Sequence, residues 1–470
     1  MASDKAKGGA KGGAADALPA VAAAELLAAA IAKIAAGALP HDVREICERL
    51  LLDVAGLCLV ARNADYVGAA SAAWTDPGPA TVIGQSGTRS AAAAAFINGT
   101  AAHGEDYDDT FEGGPVHAGA VIVPAVLAAC EAERRSGADA LLGIAVGVET
   151  VCRLCLVVPK AVHKAGFHPT AVFGTMAAAA GVSAALRLTP RQTVDALGVA
   201  GSMAGGIIEY LAEGAWTKRM HPGWAAQSGL RAALLGRAGF TGPRTVLEGV
   251  HGLFNGFAHT AAGNWEALTG GLGREWHTPR LAFKPYPCGT MIQPYIDCAL
   301  RLRRSGVQPS QVRRIVCETA EGILHRLWEP LAAKQRPPNG YAAKFATPYC
   351  VATALTQGAV GLEHFTDAAV RDEAVLALAA KVSFVVDPDN PYPRRYTGHV
   401  RAELHDGRTV EERQSDLRGG AAAPLDRSEI EAKFIANARH GGWRAEDAAE
   451  AVRSAGRALS GPLDLAVWRK

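Results

Sequence analysis

A run of small apolar residues near the middle of the chain limits what this protein can fold into. The segment "PTAVFGTMAAAAGVSAALRL", which begins at Pro169, is rich in alanine and has no polar face. Alanine has the highest helix propensity, and a helix that is apolar all round must be surrounded by the rest of the protein. The sequence therefore predicts a buried helix within a large helical domain.

A basic side chain stands before this helix and before four other helical segments. Proline is favoured at the first helical position because its missing N–H would have no partner there, so Pro169 predicts that His168 caps the helix. The same arrangement recurs at four residues that precede further segments: His117, His221 (before Pro222), Lys284 and Lys344. Helix N-termini attract anions. If these starts converge, they form a cationic pocket that suits a small molecule with several carboxylates.

Composition agrees with a mainly helical enzyme and argues against two classes of partner. Only 6% of the 470 residues are aromatic, which favours closely packed helices over a sandwich of strands. The formal net charge is +2 and no Lys/Arg run is present, so we expect no nucleic-acid partner. No stretch combines about 18 strongly apolar residues with an absence of charge, so we expect no membrane span.

Cysteine usage and the first twenty residues predict the compartment. The nine cysteines fall mostly in apolar segments and are typical of core thiols in a reducing environment. Cys152 and Cys155 form a lone CxxC, which is weak support for a metal or redox site. Residues 1–20 lack the apolar run of a signal peptide and are typical of a flexible tail. We therefore expect a cytoplasmic protein.

The pattern of the chain changes after "HTPRLAFKPYPC". Helical periodicity dominates before this point, whereas "QVRRIVCETAEG", "KVSFVVDPDNPYP" and "GHVRAELHDGRTVEER" are typical of strands. Asp406-Gly407 stands at a hairpin position between two of these strands. The fold predicted is mainly α, with a helical domain built from both chain ends (21–279 and 419–470) and an inserted α+β lid (280–418). We expect an antiparallel sheet in the lid.

The most polar stretch is "AAHGEDYDDTFEGGPVHAG", in which four acids lie between two histidines: His103, Glu105, Asp106, Asp108, Asp109 and His117. Carboxylates with histidine suit a divalent metal, but no EF-hand or HExxH spacing is present. Alternatively, one or two acids orient the catalytic imidazoles. A solvated acidic turn is a third interpretation, which fits Glu112 better than Asp106. We favour the second interpretation and expect no metal.

Five motifs, taken in order, resemble the MmgE/PrpD family: "NGTAAHGEDYDDT", "GFHPTAVFG", "GAWTKRMHPGWAAQSG", "LEGVHGLFNGF" and "KPYPC". The similarity covers nearly everything from about residue 20 onward. The family contains 2-methylcitrate dehydratase, cis-aconitate decarboxylase and iminodisuccinate epimerase activities. The resemblance implies a homodimer, a helical domain with a smaller α+β lid, a site in the cleft between them, and chemistry that needs no organic cofactor or metal.

The resemblance also implies which residues act. The decarboxylase-like pattern falls on Asp106, Thr110, His117, His168, Lys218 and Lys284. We expect His168 and His117 to be the acid–base pair, because an imidazole titrates near neutral pH. We expect Asp106 to orient one of these imidazoles. Lys218 is the fourth residue of the predicted catalytic set. The substrate-binding candidates are Lys284, Thr110, Arg219 and His221.

Two departures from the decarboxylase pattern bear on the reaction. This chain has Gly289 where the pattern places a histidine, and the segment from Thr110 to His117 is one residue longer. We therefore expect a hydro-lyase that acts on a small di- or tricarboxylate, similar to 2-methylcitrate dehydratase. The alternatives are an epimerase of an imino- or amino-dicarboxylate, a cis-aconitate decarboxylase, and a helical carboxylate-binding protein without activity.

Overall fold

The structure, a computed structural model, describes residues 20–213 and 215–470. The predicted flexible tail therefore lies almost wholly outside the described residues. Within these ranges thirteen α-helices precede the change of pattern: α1 (Ala23–Ile31), α2 (His41–Ala61), α3 (Asp65–Ala73), α4 (Ala91–His103), α5 (Gly119–Ala132), α6 (Gly137–Val157), α7 (Ala161–Lys164), α8 (Pro169–Ala185), α9 (Pro190–Met203), α10 (Tyr210–Glu213), α11 (Thr217–Arg237), α12 (Leu253–Ala258) and α13 (Trp265–Thr269).

Helix α8 lies at the centre of this helical part, as its alanine-rich sequence predicts. All of its residues are buried, and α6, α9 and α11 pack around it. Small residues let these helices approach closely. A Cβ added at Gly99 of α4 would lie 2.7 Å from Cα of Gly223 on α11. Glycine at both positions thus brings the N-terminal half of α11 against α4.

The C-terminal segment returns to the first helices. Helices α20 (Arg427–His440) and α21 (Ala445–Ala458) pack against α2. Ile430 and Phe434 of α20 and Trp468 belong to the same apolar cluster as Leu50 and Val54 of α2. The larger core is therefore built from both ends of the chain.

A second apolar cluster contains residues from Tyr286 to Leu404. Six described helices lie in this part of the chain, and all but α16 contribute residues to the cluster: α14 (Gln293–Arg304), α15 (Leu324–Leu327), α16 (Leu331–Gln335), α17 (Gly340–Ala343), α18 (Thr347–Gln357) and α19 (Glu373–Ala379). The described chain is thus mainly α. The boundaries 280–418 and the role of this segment as a lid stay predictions.

The described residues also form eight strands: β1 (Ala80–Thr81), β2 (Thr88–Arg89), β3 (Thr110–Phe111), β4 (Leu281–Ala282), β5 (Val312–Thr319), β6 (Val382–Val386), β7 (Gly398–Leu404) and β8 (Thr409–Gln414). The last four form a sheet in the order β6-β5-β7-β8. Asp406-Gly407 turns β7 into β8, as predicted. The prediction of an antiparallel sheet is wrong for one pair, because β5 and β6 run parallel. Helices α15 to α19 separate these two strands and supply the crossover that parallel strands require.

One helix among the described residues, α6, is long and apolar enough to cross a membrane by length and composition alone. The sequence led us to expect no such stretch. In the structure, 94% of its most apolar window is buried inside the protein. Arg153 Nε pairs with Glu149 Oε1 at 2.7 Å within this helix. A helix with a buried ion pair and protein on every side is typical of a core element.

The predicted helix starts are only partly correct. His168 is the N-cap of α8 and Pro169 its first residue, and His117 and Lys344 lie just before α5 and α18. The prediction for His221 is wrong, because α11 begins at Thr217 and contains Pro222 in its interior. The N–H groups of the first turn have no helical partner, so a proline in the second turn removes just one helical hydrogen bond. His221 is therefore an interior helix residue.

Candidate active site

The loop after α4 supplies the acidic side of the candidate site. Asp106 is buried and adopts a left-handed backbone conformation, with φ of 53°. Aspartate tolerates this conformation better than most residues. It points both the carboxylate and the main-chain oxygen of Asp106 toward Lys284, whose Nζ lies 3.3 Å from Oδ2 and 2.8 Å from the carbonyl oxygen.

A short strand pair brings Lys284 to this loop. Thr110 of β3 pairs with Ala282 of β4, so the chain leaves β4 beside the acidic loop and reaches Lys284 two residues later. Helix α11 supplies the second lysine, and Lys218 Nζ donates to Asp106 Oδ1 at 2.5 Å. One carboxylate thus holds two ammonium groups, of which that of Lys284 is buried and that of Lys218 is mostly buried.

The charges of this cluster reinforce one another. Burial would raise the pKa of Asp106, but Lys218 and Lys284 hold it well below its usual range. Burial would lower the pKa of Lys218, but the Asp106 carboxylate more than offsets this and raises it. Both side chains therefore remain charged at neutral pH.

A second cationic pair lies next to the first. Lys344 Nζ donates to Glu105 Oε2 at 2.8 Å and to the Glu105 carbonyl oxygen at 2.6 Å. Arg219 is held differently, with its guanidinium carbon 4.5 Å from the ring centres of both Tyr66 and Tyr341. Arg219 forms no ion pair with any described residue, and its guanidinium makes no hydrogen bond there. Its donors are therefore available to an anion.

Two histidines are oriented by the acidic loop. His103 Nδ1 lies 2.7 Å from Asp108 Oδ2, and His117 Nδ1 lies 2.7 Å from the Asp109 carbonyl oxygen. Burial lowers the pKa of His117 to about 3. The Asp109 carboxylate accepts the N–H groups of Ala118 and Gly119 at the start of α5. Burial, with the neighbouring Asp108 charge, raises the pKa of Asp109 to about 7.

The other two histidines contact each other. His168 Nδ1 and His221 Nδ1 are 3.1 Å apart, so one of these nitrogens donates and the other accepts. Burial, together with neighbouring imidazoles and Lys218, holds the pKa of His168 well below its ordinary value. Burial lowers the pKa of His221 to about 4. Both rings are neutral at pH 7.

The imidazoles form one cluster beside the lysines. The ring centres of His103 and His117 are 4.8 Å apart, and those of His117 and His168 are 6.3 Å apart. The structure thus brings together all eight residues predicted from the sequence: Asp106, Thr110, His117, His168, Lys218, Arg219, His221 and Lys284. Their roles in a reaction stay predictions.

Thr110 and Gly289 lie where the second apolar cluster meets the site. Thr110 Oγ1 is 3.1 Å from Thr290 Oγ1. The N–H of Gly289 donates to the Lys344 carbonyl oxygen at 2.9 Å. The nearest side-chain atoms to a Cβ added at Gly289 would be carbons of Ile292 and Leu327, each at 3.6 Å. The glycine therefore offers no side-chain proton donor, and its immediate side-chain neighbours are apolar.

Three of the histidines are the best candidates to hold a metal. One ring nitrogen from each of His103, His117 and His168 lies within 4.8 Å of the other two. Around a tetrahedral zinc with bonds of about 2.1 Å, two nitrogens are about 3.4 Å apart. The rings would have to move closer together to coordinate an ion. Their present spacing is not that of a preformed tetrahedral zinc centre.

Sequence reasoning missed two residues that shape the site. Tyr66 and Tyr341 enclose Arg219, although they lie 275 residues apart in the sequence. Neither tyrosine belongs to a local motif. Tyr66 OH also donates to Glu105 Oε1 at 3.0 Å, which fixes the carboxylate that holds Lys344.

The fold and this cluster together define a mainly helical protein with a buried cationic centre suited to acid–base chemistry on an anion. Comparison with known families identifies it further. Residues 25–265 match the MmgE/PrpD N-terminal domain and residues 286–456 match the MmgE/PrpD C-terminal domain. The chain belongs to the MmgE/PrpD family.

Curated relatives share most of the chain. A cis-aconitate decarboxylase-like protein of Aspergillus oryzae is 31% identical over 84% of this chain and 86% of its own length. The cis-aconitate decarboxylase of Aspergillus terreus is 30% identical over 80% of this chain and 81% of its own length. The human cis-aconitate decarboxylase is 29% identical over 88% of this chain and 87% of its own length.

Proposed function

We propose that this protein is a cofactor-independent lyase that acts on a small di- or tricarboxylate, and that it is a hydro-lyase. The observation that carries the proposal is the neutral, buried imidazole of His168 beside a cluster of ammonium groups. A neutral imidazole can take a proton from carbon, and nearby cations stabilise the carbanion that results.

The cations act more strongly as the reaction proceeds. Removal of a proton next to a carboxylate gives an enolate-like species with additional negative charge. Lys218 and Lys284 stabilise that charge, and Arg219 binds a further carboxylate through its free donors. Because Asp106 fixes both ammonium groups before the substrate arrives, little reorganisation is needed in the transition state.

Substrate binding changes the pKa values of the imidazoles. Burial and the lysine charges lower the pKa values of His117 and His168 in the empty site. A polycarboxylate brings several negative charges, which raise both values toward neutral pH. His168 then accepts the carbon-bound proton, while His117 carries a proton to the departing hydroxyl group. The products are an alkene and water.

The contact between His168 and His221 supports this assignment. If His168 donates its Nδ1–H to His221 Nδ1, the lone pair of His168 Nε2 is free to take the proton. The resulting imidazolium keeps the Nδ1–H hydrogen bond. His221 is then a positioning residue, similar to the orienting partner of other catalytic imidazoles.

Decarboxylation is the second candidate reaction. The curated relatives carry that name at about 30% identity, and the same cationic centre stabilises the carbanion left when CO2 departs. Gly289 favours the hydro-lyase, because the histidine that the decarboxylase pattern places there has no counterpart in this chain. Epimerisation of an imino- or amino-dicarboxylate requires the same carbanion without a leaving group.

A substrate panel distinguishes these reactions. Tricarboxylates, dicarboxylates and imino acids are first screened by thermal shift, and those that stabilise the protein are followed by proton NMR in D2O. A new vinyl signal with no CO2 supports the hydro-lyase. Solvent exchange without net conversion identifies an epimerase instead. If no ligand that stabilises the protein is turned over, the protein is a binding protein and the proposal is overturned.

We also propose that the protein forms a homodimer. The support is an apolar stripe on one face at the start of α11, made by Trp216, Met220 and Trp224. Trp216 is 48% and Trp224 41% exposed, and Ile207 and Leu211 are exposed nearby in the chain. Large exposed aromatic side chains in one stripe are typical of protein interfaces. Sedimentation of the wild type and of Trp224→Glu tests this, with dissociation expected for the variant.

A cytoplasmic location is part of the proposal. All nine cysteines are buried as free thiols, and burial raises the pKa of Cys47 and Cys58 above the usual thiol value. Such thiols are stable in a reducing compartment.

A further inference from the structure

A cationic cavity lies outside the histidine–lysine cluster. Its volume is about 610 Å³, and it lies between α14, the end of α18 and the segment that follows β8. Six of the residues that line it carry the argument: Tyr286, Asp297, Arg301, Arg303, Arg304 and Arg418. Four arginines thus face one space, with Asp297 as the only carboxylate among the lining residues.

Two of the arginines have no carboxylate partner among the described residues. Arg303 Nη1 donates to the carbonyl oxygens of Leu355 and Thr356 at 2.6 and 2.7 Å. Arg304 Nε donates to the Leu300 carbonyl oxygen of its own helix at 3.2 Å. Arg301 pairs with Glu412 and Arg418 pairs with Glu429. The cavity therefore keeps an excess of positive charge.

The buried carboxyl group of Asp297 is only half satisfied. Its Oδ1 accepts the hydroxyl of Tyr286 at 2.7 Å, but its Oδ2 is buried and has no partner among the described residues. Asp297 is only 6% exposed. A buried polar atom without a partner costs stability unless water or a ligand satisfies it. Burial raises the pKa of the Asp297 carboxyl group, and in its protonated form Oδ2–H can donate a hydrogen bond to an anion in the cavity.

We propose that this arginine cavity binds a small polyanion that carries two or more phosphate or carboxylate groups. Its volume falls within the range of about 300 to 1,000 Å³ that is usual for small-molecule sites. Guanidinium groups bind phosphate and carboxylate through paired hydrogen bonds, and several of them around one space select multiply charged ligands. The function proposed above assigns no role to these residues.

The cavity is connected to the turn that carries Lys284. Tyr286 lies two residues beyond Lys284, and Gln293 Nε2 donates to the Tyr286 carbonyl oxygen at 3.4 Å. On the other side, Arg418 is followed by Gly419, whose carbonyl oxygen accepts the Phe283 N–H at 2.9 Å. Asp297, which accepts the Tyr286 hydroxyl, lies on the same helix as Arg304, so a polyanion held by Arg304 and Arg418 bridges the two elements that contact this turn. We therefore expect the bound polyanion to stabilise the conformation of the turn that carries Lys284.

Calorimetric titration with inorganic pyrophosphate and with propane-1,2,3-tricarboxylate tests the site and tells phosphate from carboxylate ligands. Arg304→Gln removes one charge and one bond within its own helix, so it is expected to fold normally. The matched control is Arg371→Gln. Arg371 is an exposed arginine beside the second apolar cluster, and it has no ion pair among the described residues. We expect Arg304→Gln to weaken binding of at least one probe by about tenfold and the control to leave it unchanged.

A third variant separates this cavity from the candidate active site. Lys284→Gln is expected to keep binding of the probe that Arg304→Gln weakens. Binding lost in Lys284→Gln but kept in Arg304→Gln would place the probe in the active site and overturn the proposal. Undetectable binding of both probes to the wild type at millimolar concentration would overturn it as well.

Hydrogen exchange tests the effector role separately. Pyrophosphate or the tricarboxylate, whichever binds, is expected to slow exchange in peptides covering residues 281–292 of the wild type but not of Arg304→Gln. Binding without any change in this segment would show that the cavity is not coupled to the turn.

Discussion

Lys284 donates a hydrogen bond of 2.8 Å to the carbonyl oxygen of Asp106, and its Nζ lies 3.3 Å from the Asp106 carboxylate. This contact joins two segments that are 178 residues apart. It depends on the left-handed conformation of Asp106, which points both acceptors the same way, and on the β3–β4 pair. The site is therefore assembled by the fold rather than by one local motif.

Substitution of His168 is expected to affect turnover more than substrate binding. A proton-transfer group acts in the transition state, whereas an ammonium group binds the substrate in both states. His168→Ala should lower kcat by about a hundredfold or more, and Lys284→Ala should mainly raise KM. Steady-state kinetics on the substrate found by screening measures both. His440→Ala, at an exposed histidine that ends α20, is the control and should leave both constants unchanged. A near-normal kcat in His168→Ala would show that another imidazole is the general base.

The buried imidazoles are expected to make the protein less stable in mild acid. The folded pKa of His221 is about 4, whereas an unfolded histidine titrates near about 6.5. Between these values the unfolded chain binds more protons, so stability falls as pH falls through this window. His221→Asn removes one such group and should reduce the loss in the free energy of unfolding between pH 7 and pH 5 by about 2 kcal/mol.

Chemical denaturation of the wild type and of His221→Asn at the two pH values measures this difference. The raised pKa of Asp109 acts in the opposite direction in both proteins, so it cancels in the comparison. An equal loss of stability in the two proteins would contradict the buried, neutral state of His221.

Lys433 of the C-terminal segment forms a buried ion pair with α2 and a hydrogen bond with the acidic loop. Lys433 Nζ lies 2.8 Å from Asp53 Oδ1 and donates to the Tyr107 carbonyl oxygen at 2.8 Å. Lys433→Met leaves a buried carboxylate without its partner and should lower the free energy of unfolding by about 3 kcal/mol. The double variant Lys433→Met/Asp53→Leu should recover most of that loss.

Urea denaturation compares these variants with Arg427→Met, which breaks half-exposed ion pairs with Glu431 on the same helix and with Glu48 on α2. The control should cost less than about 1 kcal/mol. A double variant as unstable as Lys433→Met would show that packing, and not the unpaired charge, accounts for the loss.

Activity should persist after exhaustive chelation. The proposed chemistry uses the imidazoles and lysines themselves, and the nitrogens of His103, His117 and His168, which lie within 4.8 Å of one another, would have to approach to about 3.4 Å to form a tetrahedral site. The measurement is turnover after dialysis against a chelator, with metal content checked in parallel. Loss of activity that a single metal restores would make these histidines metal ligands.

Proline and glycine explain why part of the fold could be predicted. Pro169 indicated the start of α8 and therefore the position of His168, and Asp406-Gly407 indicated the β7–β8 turn. Pro222 was misleading because a helix tolerates proline in its second turn, so the same signal did not fix the position of His221. The parallel β5–β6 pair depends on how the intervening helices pack, which local patterns do not encode.

The candidate site was predicted from basic residues near helix starts together with the family motifs. Its finer features depend on long-range packing. The enclosure of Arg219 by Tyr66 and Tyr341, and the depressed pKa values of His117 and His168, arise from burial in the folded protein. No spacing in the sequence carries that information.

The reaction of the wild-type protein with cis-aconitate tests the central claim most directly. Carbon dioxide is collected from the headspace while proton NMR follows the substrate and its products. Gly289 supplies no proton to a carbanion left by decarboxylation, whereas the imidazoles and lysines suit addition or removal of water. We predict addition of water to the double bond with negligible release of CO2. Rapid formation of itaconate with stoichiometric CO2 would contradict the account and identify the protein as a decarboxylase.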